Sequence, residues 1–185
     1  MSNFSESADP QSAPLPSSVD VIVVGAGFGG MYMLHKLRSF GLNVQVFERA
    51  TGVGGTWYWN RYPGARCDVE SLEYSYSFDE ELQQEWDWSE RFAAQPEILS
   101  YAGHVADRFD LRRDIRFETS VTGARFDEKA NTWSVATDDG ATTTARFFIS
   151  AVGCLSSTNT PDIPGKDDFG GLTVHTGLWP KEGVD

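Results

Sequence analysis

The run Gly25-Ala26-Gly27-Phe28-Gly29-Gly30 fits G-x-G-x-x-G, a spacing that wraps backbone amides around a phosphate. Gly25 allows a tight turn, Gly27 lets the backbone approach a pyrophosphate, and Gly30 lets a helix pack closely on a strand. Amides at the N-terminus of that helix would hold the phosphate charge. Glu48 stands eighteen residues beyond Gly30, where a carboxylate accepts both hydroxyls of an adenosine ribose. An acid there repels a 2′-phosphate, so the pattern favours FAD or NAD over NADP. A glycine turn without a ligand is the competing reading. The next run, Gly54-Gly55-Thr56-Trp57-Tyr58-Trp59, points to FAD. Paired glycines bring backbone against a cofactor, and large aromatics wall an isoalloxazine ring. Packed core or interface aromatics are the alternative for Trp57 and Trp59.

Recognisable elements position these residues. Val19–Val24 is a continuous β-branched run suited to a strand buried in a parallel sheet. Met33, Leu37 and Phe40, with Met31 and Leu34, recur at helical spacing, and Gly41 ends that helix. Asn43–Glu48 is the second strand. Residues 49–76 read as a long functional loop without regular structure. Ser77 and Glu80 form a capping box before a short acidic helix. Pro96 suits the first turn of a further helix with an apolar stripe at Ile98, Ala102, Val105 and Phe109. Ile115–Phe117 and Val121–Phe126 read as strands. Trp133–Thr137, the turn Asp138-Asp139-Gly140 and a strand from Thr142 make a hairpin. Phe147–Val152 is a second buried-type run ending in Gly153. The fold class is therefore α/β, a Rossmann-like dinucleotide-binding domain with a parallel sheet and an inserted β-hairpin. Residues 1–17, rich in Ser and Pro, read as a disordered leader.

The 185 residues carry a formal net charge of -12, with a sequence pI near 4.6, which argues against nucleic acid as a partner. Neither a transmembrane run nor a signal peptide is present, so no membrane partner and a cytoplasmic location are expected. Cys67 and Cys154 make no disulfide scaffold and stand in no metal-ligand spacing, and no metal is expected. Cys154 reads as a small packed residue. His35 and His104 have no partner in the sequence pattern and default to surface or satisfied core. The acids Asp79, Glu80, Glu81, Glu85, Asp87 and Glu90 read as a solvated face.

The glycine run, the stretch 54–68 (GGTWYWNRYPGARCD), and Phe169-x-Gly171-xxx-His175-xxx-Trp179-Pro180 together resemble the type I Baeyer–Villiger monooxygenases. The last pattern matches that family's fingerprint, five fixed identities over twelve positions. The likeness runs from about residue 19 to the end, particularly to the phenylacetone and cyclohexanone monooxygenase branch. It implies that Gly25, Gly27, Phe28, Gly30 and Glu48 hold the ADP half of FAD. Gly54, Gly55, Thr56, Trp57, Tyr58 and Trp59 would lie along its ribityl and flavin part. Asp68 and Tyr74 would border the FAD, Val121 would back its adenine, and Gly153 would supply a second contacting turn. Arg66, Cys67 and Asp68 would face the nicotinamide of NADPH.

The implied chemistry is reduction of FAD by NADPH, addition of O2 at flavin C4a, and attack of the resulting peroxide on a ketone to give an ester or lactone. Asp68 would be the catalytic-site carboxylate that positions an arginine; a turn-capping Asp is its other reading. Phe169, Gly171, His175, Trp179 and Pro180 are implied to be structural or conformational, at a junction towards an NADPH domain. The likeness therefore divides the chain into an FAD-binding part over 18–165, incomplete relative to the family, and a fingerprint segment over 166–185. A second G-x-G-x-x-G for NADPH and the catalytic arginine are expected beyond the fingerprint, so the 185 residues are expected to be an inactive N-terminal fragment by themselves. Apolar surface left uncovered would then promote self-association. Two alternatives remain: a non-catalytic FAD- or ADP-binding module, and a flavin monooxygenase acting on nitrogen or sulfur. The particular ketone is not encoded in this stretch.

Overall fold

The computed structural model describes residues 14–185. It divides the chain into two compact units, Met1–Val53 with Ala106–Val152, and Gly54–Val105 with Gly153–Asp185. Of the expected leader, residues 1–13 lie outside the described residues. In the stretch 14–17, the carbonyls of Pro16 and Ser17 accept hydrogen bonds from Thr143 and Thr144.

The first unit is a six-stranded sheet. Its strands are β1 (Ser18–Val24), β2 (Val44–Phe47), β3 (Ile115–Arg116), β4 (Val121–Asp127), β5 (Thr132–Thr137) and β6 (Thr142–Ser150), in the order β3-β2-β1-β6-β5-β4. The pairs β1–β2, β2–β3 and β1–β6 are parallel, and β4–β5 and β5–β6 are antiparallel. This is the expected α/β class, a parallel sheet extended by a hairpin. Helix α1 (Phe28–Ser39) connects β1 to β2 and buries Gly30, Met31 and Leu34. Phe40, expected in its apolar stripe, caps the helix and is 65% exposed. Ile22, Phe47, Val135 and Ala145 form the buried centre of the sheet, with Val19, Trp133 and Phe148 packed on it.

Phe147–Val152 departs from the expectation of full burial. Its residues 147–150 form the end of β6 and 151–152 follow it, and Phe147 and Val152 are about half exposed. A groove of about 390 Å³ lies beside it, lined by Val21, Leu37, Leu42, Trp133, Phe147, Phe148 and Ile149. Apolar composition marks a strand that is suited to burial, and here this chain supplies cover to only part of it.

In the second unit, residues 49–76 are not wholly irregular. A one-turn helix α2 (Thr56–Trp59) and a 3-10 turn (Ser71–Tyr74) interrupt them. Helix α3 (Glu80–Glu85) is capped by Asp79, whose side chain accepts from the Leu82 amide at 2.8 Å, and not by the expected Ser77 box. The Phe78 ring packs on Tyr76 at 5.0 Å, and residues 76–78 lie outside the helix. Helix α4 (Gln95–Arg108) buries Ile98, Tyr101, Ala102 and Val105. Most of the acids around α3 are exposed, though Glu90 pairs with Arg66, and Glu85 lies 3.5 Å from His104. His35, in the first unit, packs edge-on against Phe109. Cys154 is exposed and not a packed residue, because the chain leaves the sheet before it; Cys67 is buried. Among the described residues, no helix is long and apolar enough to cross a membrane.

Tyr101 anchors an aromatic cluster with Tyr76, Trp86 and Trp88, and its hydroxyl accepts from the Tyr76 amide at 2.8 Å. Burial pushes the Tyr76 phenol far above its ordinary value, and the Tyr101 phenol upward for the same reason. An unfolded tyrosine ionises near pH 10. Above that pH the native state holds more protons than the unfolded one, so the stability these phenols contribute is complete below about pH 10 and is lost as pH rises further. Alkaline titration should therefore show a late phenolate step together with loss of circular dichroism. Ionisation of every tyrosine near the ordinary value, with the fold intact, would contradict this.

Candidate nucleotide and flavin site

In the first unit the glycine turn lies at the C-terminal ends of parallel strands, where α/β sheets place ligands. Gly25 has φ +102°, and its amide donates to the Phe47 carbonyl at 2.8 Å. A Cβ on Gly25 would stand 2.6 Å from the Ala151 carbonyl oxygen, and one on Gly30 would stand 1.8 Å from the Gly25 carbonyl oxygen. Backbone therefore excludes a side chain at both positions. Gly27 is the N-cap of α1, with no side-chain cap and no acid in the first turn. Phe28 is the first residue of α1 and is half-buried. Gly27 thus brings no capping side chain to this twelve-residue helix, and the helix dipole favours an anion there.

Glu48 is 5% exposed at the end of β2. One carboxylate oxygen accepts from the Ala26 amide at 2.7 Å and the other from the Ala50 amide at 2.8 Å. Each keeps further lone-pair capacity for a hydroxyl donor. The residue therefore fastens the glycine turn to β2 besides facing any ribose. The Thr119 amide donates to the Glu48 carbonyl and the Glu118 amide to Ala50, so the chain leading to half-buried Val121 runs beside this end of the sheet. Beyond β6, the Ala151 amide donates to the Val24 carbonyl at 2.9 Å. Gly153 follows two residues later with φ +75°.

In the second unit, Gly54 has φ +118°, and a Cβ there would meet Leu99 at 2.6 Å. Gly55 is the N-cap of α2. Thr56 is exposed, and Trp57 is buried with its ring edge-on to Tyr74 at 5.5 Å. Burial pushes the Tyr74 phenol above its ordinary value, and its hydrogen bond with Trp57 pulls it partly back. Tyr58 and Trp59 are half-buried and meet edge-on at 5.1 Å. Arg61 lies over the Tyr58 ring, and Lys181 donates to the Tyr58 hydroxyl at 3.2 Å.

Residues 65–71 run antiparallel to residues 90–95. Arg66 bridges Ala94, and the Cys67 amide donates to the Ala93 carbonyl at 3.1 Å. The Arg66 guanidinium donates to the Glu90 carboxylate and the Phe92 carbonyl, and the Glu90 hydrogen bond raises its pKa further. With Cys67 buried, Asp68 is the exposed carboxylate of the triplet expected to face a nicotinamide. In the fingerprint, Phe169 is exposed, and His175 Nδ1 accepts from the Gly177 amide at 3.0 Å, capping a 3-10 turn over Thr176–Leu178. That contact is a structural use of the imidazole. Gly171 is exposed; Trp179 and Pro180 are half-buried.

Two residues with structural leverage carry no motif. Ser71 is 2% exposed and bridges the Glu90 carbonyl and the Ala93 amide. Gln95 donates to the Trp57 carbonyl. The contacts are long-range, and no local spacing signals them.

Residues 23–84 match the model of an NAD(P)-binding Rossmann-like domain. A Baeyer–Villiger monooxygenase of Pseudooceanicola batsensis is 54% identical over 90% of this chain and 30% of its own length. The chain is homologous to Baeyer–Villiger monooxygenases. Phenazine N-monooxygenase of Lysobacter antibioticus is 52% identical over 88% of this chain and 30% of its own length. Among solved structures, an oxidized steroid monooxygenase bound to NADP superposes with a TM-score of 0.84 at 62% identity, covering 91% of this chain and 32% of that one. The chain thus spans about a third of the length of the monooxygenases it matches.

Proposed function

We propose that this chain is the FAD-holding part of a Baeyer–Villiger monooxygenase that uses NADPH and O2 to convert ketones to esters or lactones. The observation that carries this reading is the cradle at Gly25 and Gly30, where backbone leaves no room for a Cβ, set before an α1 N-terminus whose N-cap is Gly27. Those features suit a pyrophosphate, and Glu48 at the end of β2 suits the adenosine ribose. FAD, when bound, supplies the hydride-accepting and oxygen-activating chemistry. The chain's residues bind and orient it: Gly25, Gly27, Phe28, Gly30, Glu48 and Val121 take the ADP half, and Gly153 a second turn. Gly54, Gly55 and Thr56–Trp59 line the ribityl and ring portion with Asp68 and Tyr74. Arg66, Cys67 and Asp68 are assigned to the side that meets NADPH, with Arg66 held by Glu90 and Cys67 buried. Phe169, Gly171, His175, Trp179 and Pro180 form a structural fingerprint, and on this reading 18–165 and 166–185 are its two functional segments. On this reading the protein works in the cytoplasm.

Flavin fluorescence titration of the purified chain tests the binding reading: saturable quenching with a red-shifted absorption band is expected, and no quenching would reject it. Nitrogen oxidation is a second reading, favoured by the 52% identity to a phenazine N-monooxygenase. Product mass spectrometry with the full-length protein, offered a cyclic ketone and a phenazine in parallel, separates a lactone from an N-oxide. The groove beside Phe147 supports the expectation that the isolated chain self-associates. Size-exclusion chromatography should show species larger than 20.5 kDa, and a monodisperse monomer would count against it.

A further inference from the structure

We infer that Gln95 is a positioning residue that sets the aromatic turn Gly54–Trp59, and this inference rests on the flavin-binding reading of that turn. Helix α2 is a single turn, too short to hold its own conformation. Its neighbouring carbonyls are mostly used locally. Gly54 accepts from the Trp57 amide, Gly55 from Tyr58 and Trp59, and Thr56 from Asn60. Beyond these, Trp59 accepts from the Arg61 amide, and Tyr58 from the Arg61 guanidinium. The Trp57 carbonyl instead receives the side-chain amide of Gln95, thirty-eight residues away and 8% exposed.

The same residue donates its backbone amide to the Ala65 carbonyl at 2.9 Å. Gln95 therefore fastens two segments to the start of α4: the aromatic turn, and the segment that continues into Arg66, Cys67 and Asp68. One turn further along α4, Leu99 fills the space that a side chain on Gly54 would need. The Trp57 ring, edge-on to Tyr74, is thereby held through its backbone as well as through its ring contact. Removing the side-chain donor leaves a carbonyl without its partner at the base of the turn, and the turn moves to find water.

The test compares Gln95→Met, which keeps length and loses the donor, and Gln95→Asn, which keeps the amide but is one methylene short. Hydrogen exchange on the full-length protein is read at residues 57–60, alongside FAD titration and visible circular dichroism of the bound flavin. In both variants the amides of 57–60 should exchange about tenfold faster while the later turns of α4 keep their protection, a loss on the scale of one buried hydrogen bond. FAD should bind about tenfold more weakly in both, with an altered flavin dichroism. Unchanged exchange at 57–60 overturns the positioning role. Faster exchange with unchanged FAD affinity and dichroism overturns its link to the flavin. If the wild-type protein binds no FAD, the flavin reading fails, and the exchange data still decide whether Gln95 holds the turn.

Discussion

Gly30→Ala is expected to cost about 3 kcal/mol or more and to abolish tight FAD binding. The added Cβ would lie 1.8 Å from the Gly25 carbonyl oxygen and 2.9 Å from its carbon. Both atoms are backbone, so no rotamer change relieves the clash, and α1 must move away from the turn. Overpacking of this kind costs about 1–3 kcal/mol when side chains can shift and more when they cannot. For a chain of this size that corresponds to a melting temperature roughly 10 °C lower. Gly29→Ala is the matching control, because a Cβ there meets nothing within 4 Å. It lies exposed in α1 and should be neutral or stabilising by up to about 1 kcal/mol. Equal melting temperatures for the two variants would refute the packing argument.

Glu48→Ala should have an effect of comparable size. Its carboxylate is the acceptor for two buried amides, Ala26 and Ala50. Each donor left unpaired costs about 1–3 kcal/mol, so together about 2–6 kcal/mol against a total stability of about 5–15 kcal/mol for an ordinary domain. Glu48→Gln keeps one acceptor oxygen and turns an NH2 towards the other amide, so it should fall between wild type and alanine. Urea denaturation should show the midpoint falling in the order wild type, Gln, Ala with an unchanged slope. A Glu48→Ala midpoint equal to wild type would mean that the carboxylate serves a ligand alone.

The glycine unit was legible in the sequence because its signals are local. The β-branched run at Val19–Val24, the glycines at fixed offsets and the acid ending the second strand each act within a few residues of where they stand. The parallel sheet with its hairpin extension follows from the same kind of signal, as do α4 and its buried Ile98, Ala102 and Val105. The cap of α3 was not legible. Ser77 with Glu80, and Asp79 alone, both satisfy a capping pattern, and the folded chain uses Asp79, which accepts from the Leu82 amide. Exposure of Phe147 was hidden for a different reason: hydrophobicity records what a strand prefers, and cover depends on what else packs there. Gln95 and Ser71 were invisible because their partners lie 38 and 19–22 residues away. Of the triplet 66–68, residue types alone could not reveal that Glu90 engages Arg66 and that Cys67 is buried.

The unequal placement of the two thiols has a practical use. Cys67 is buried, whereas Cys154 stands exposed one residue after Gly153. Accessibility governs how fast a thiol meets a reagent. The unaltered chain therefore carries one native attachment point for a maleimide dye, located just past the end of β6. A fluorophore there would report on what happens beside the Gly153 turn without any engineered cysteine.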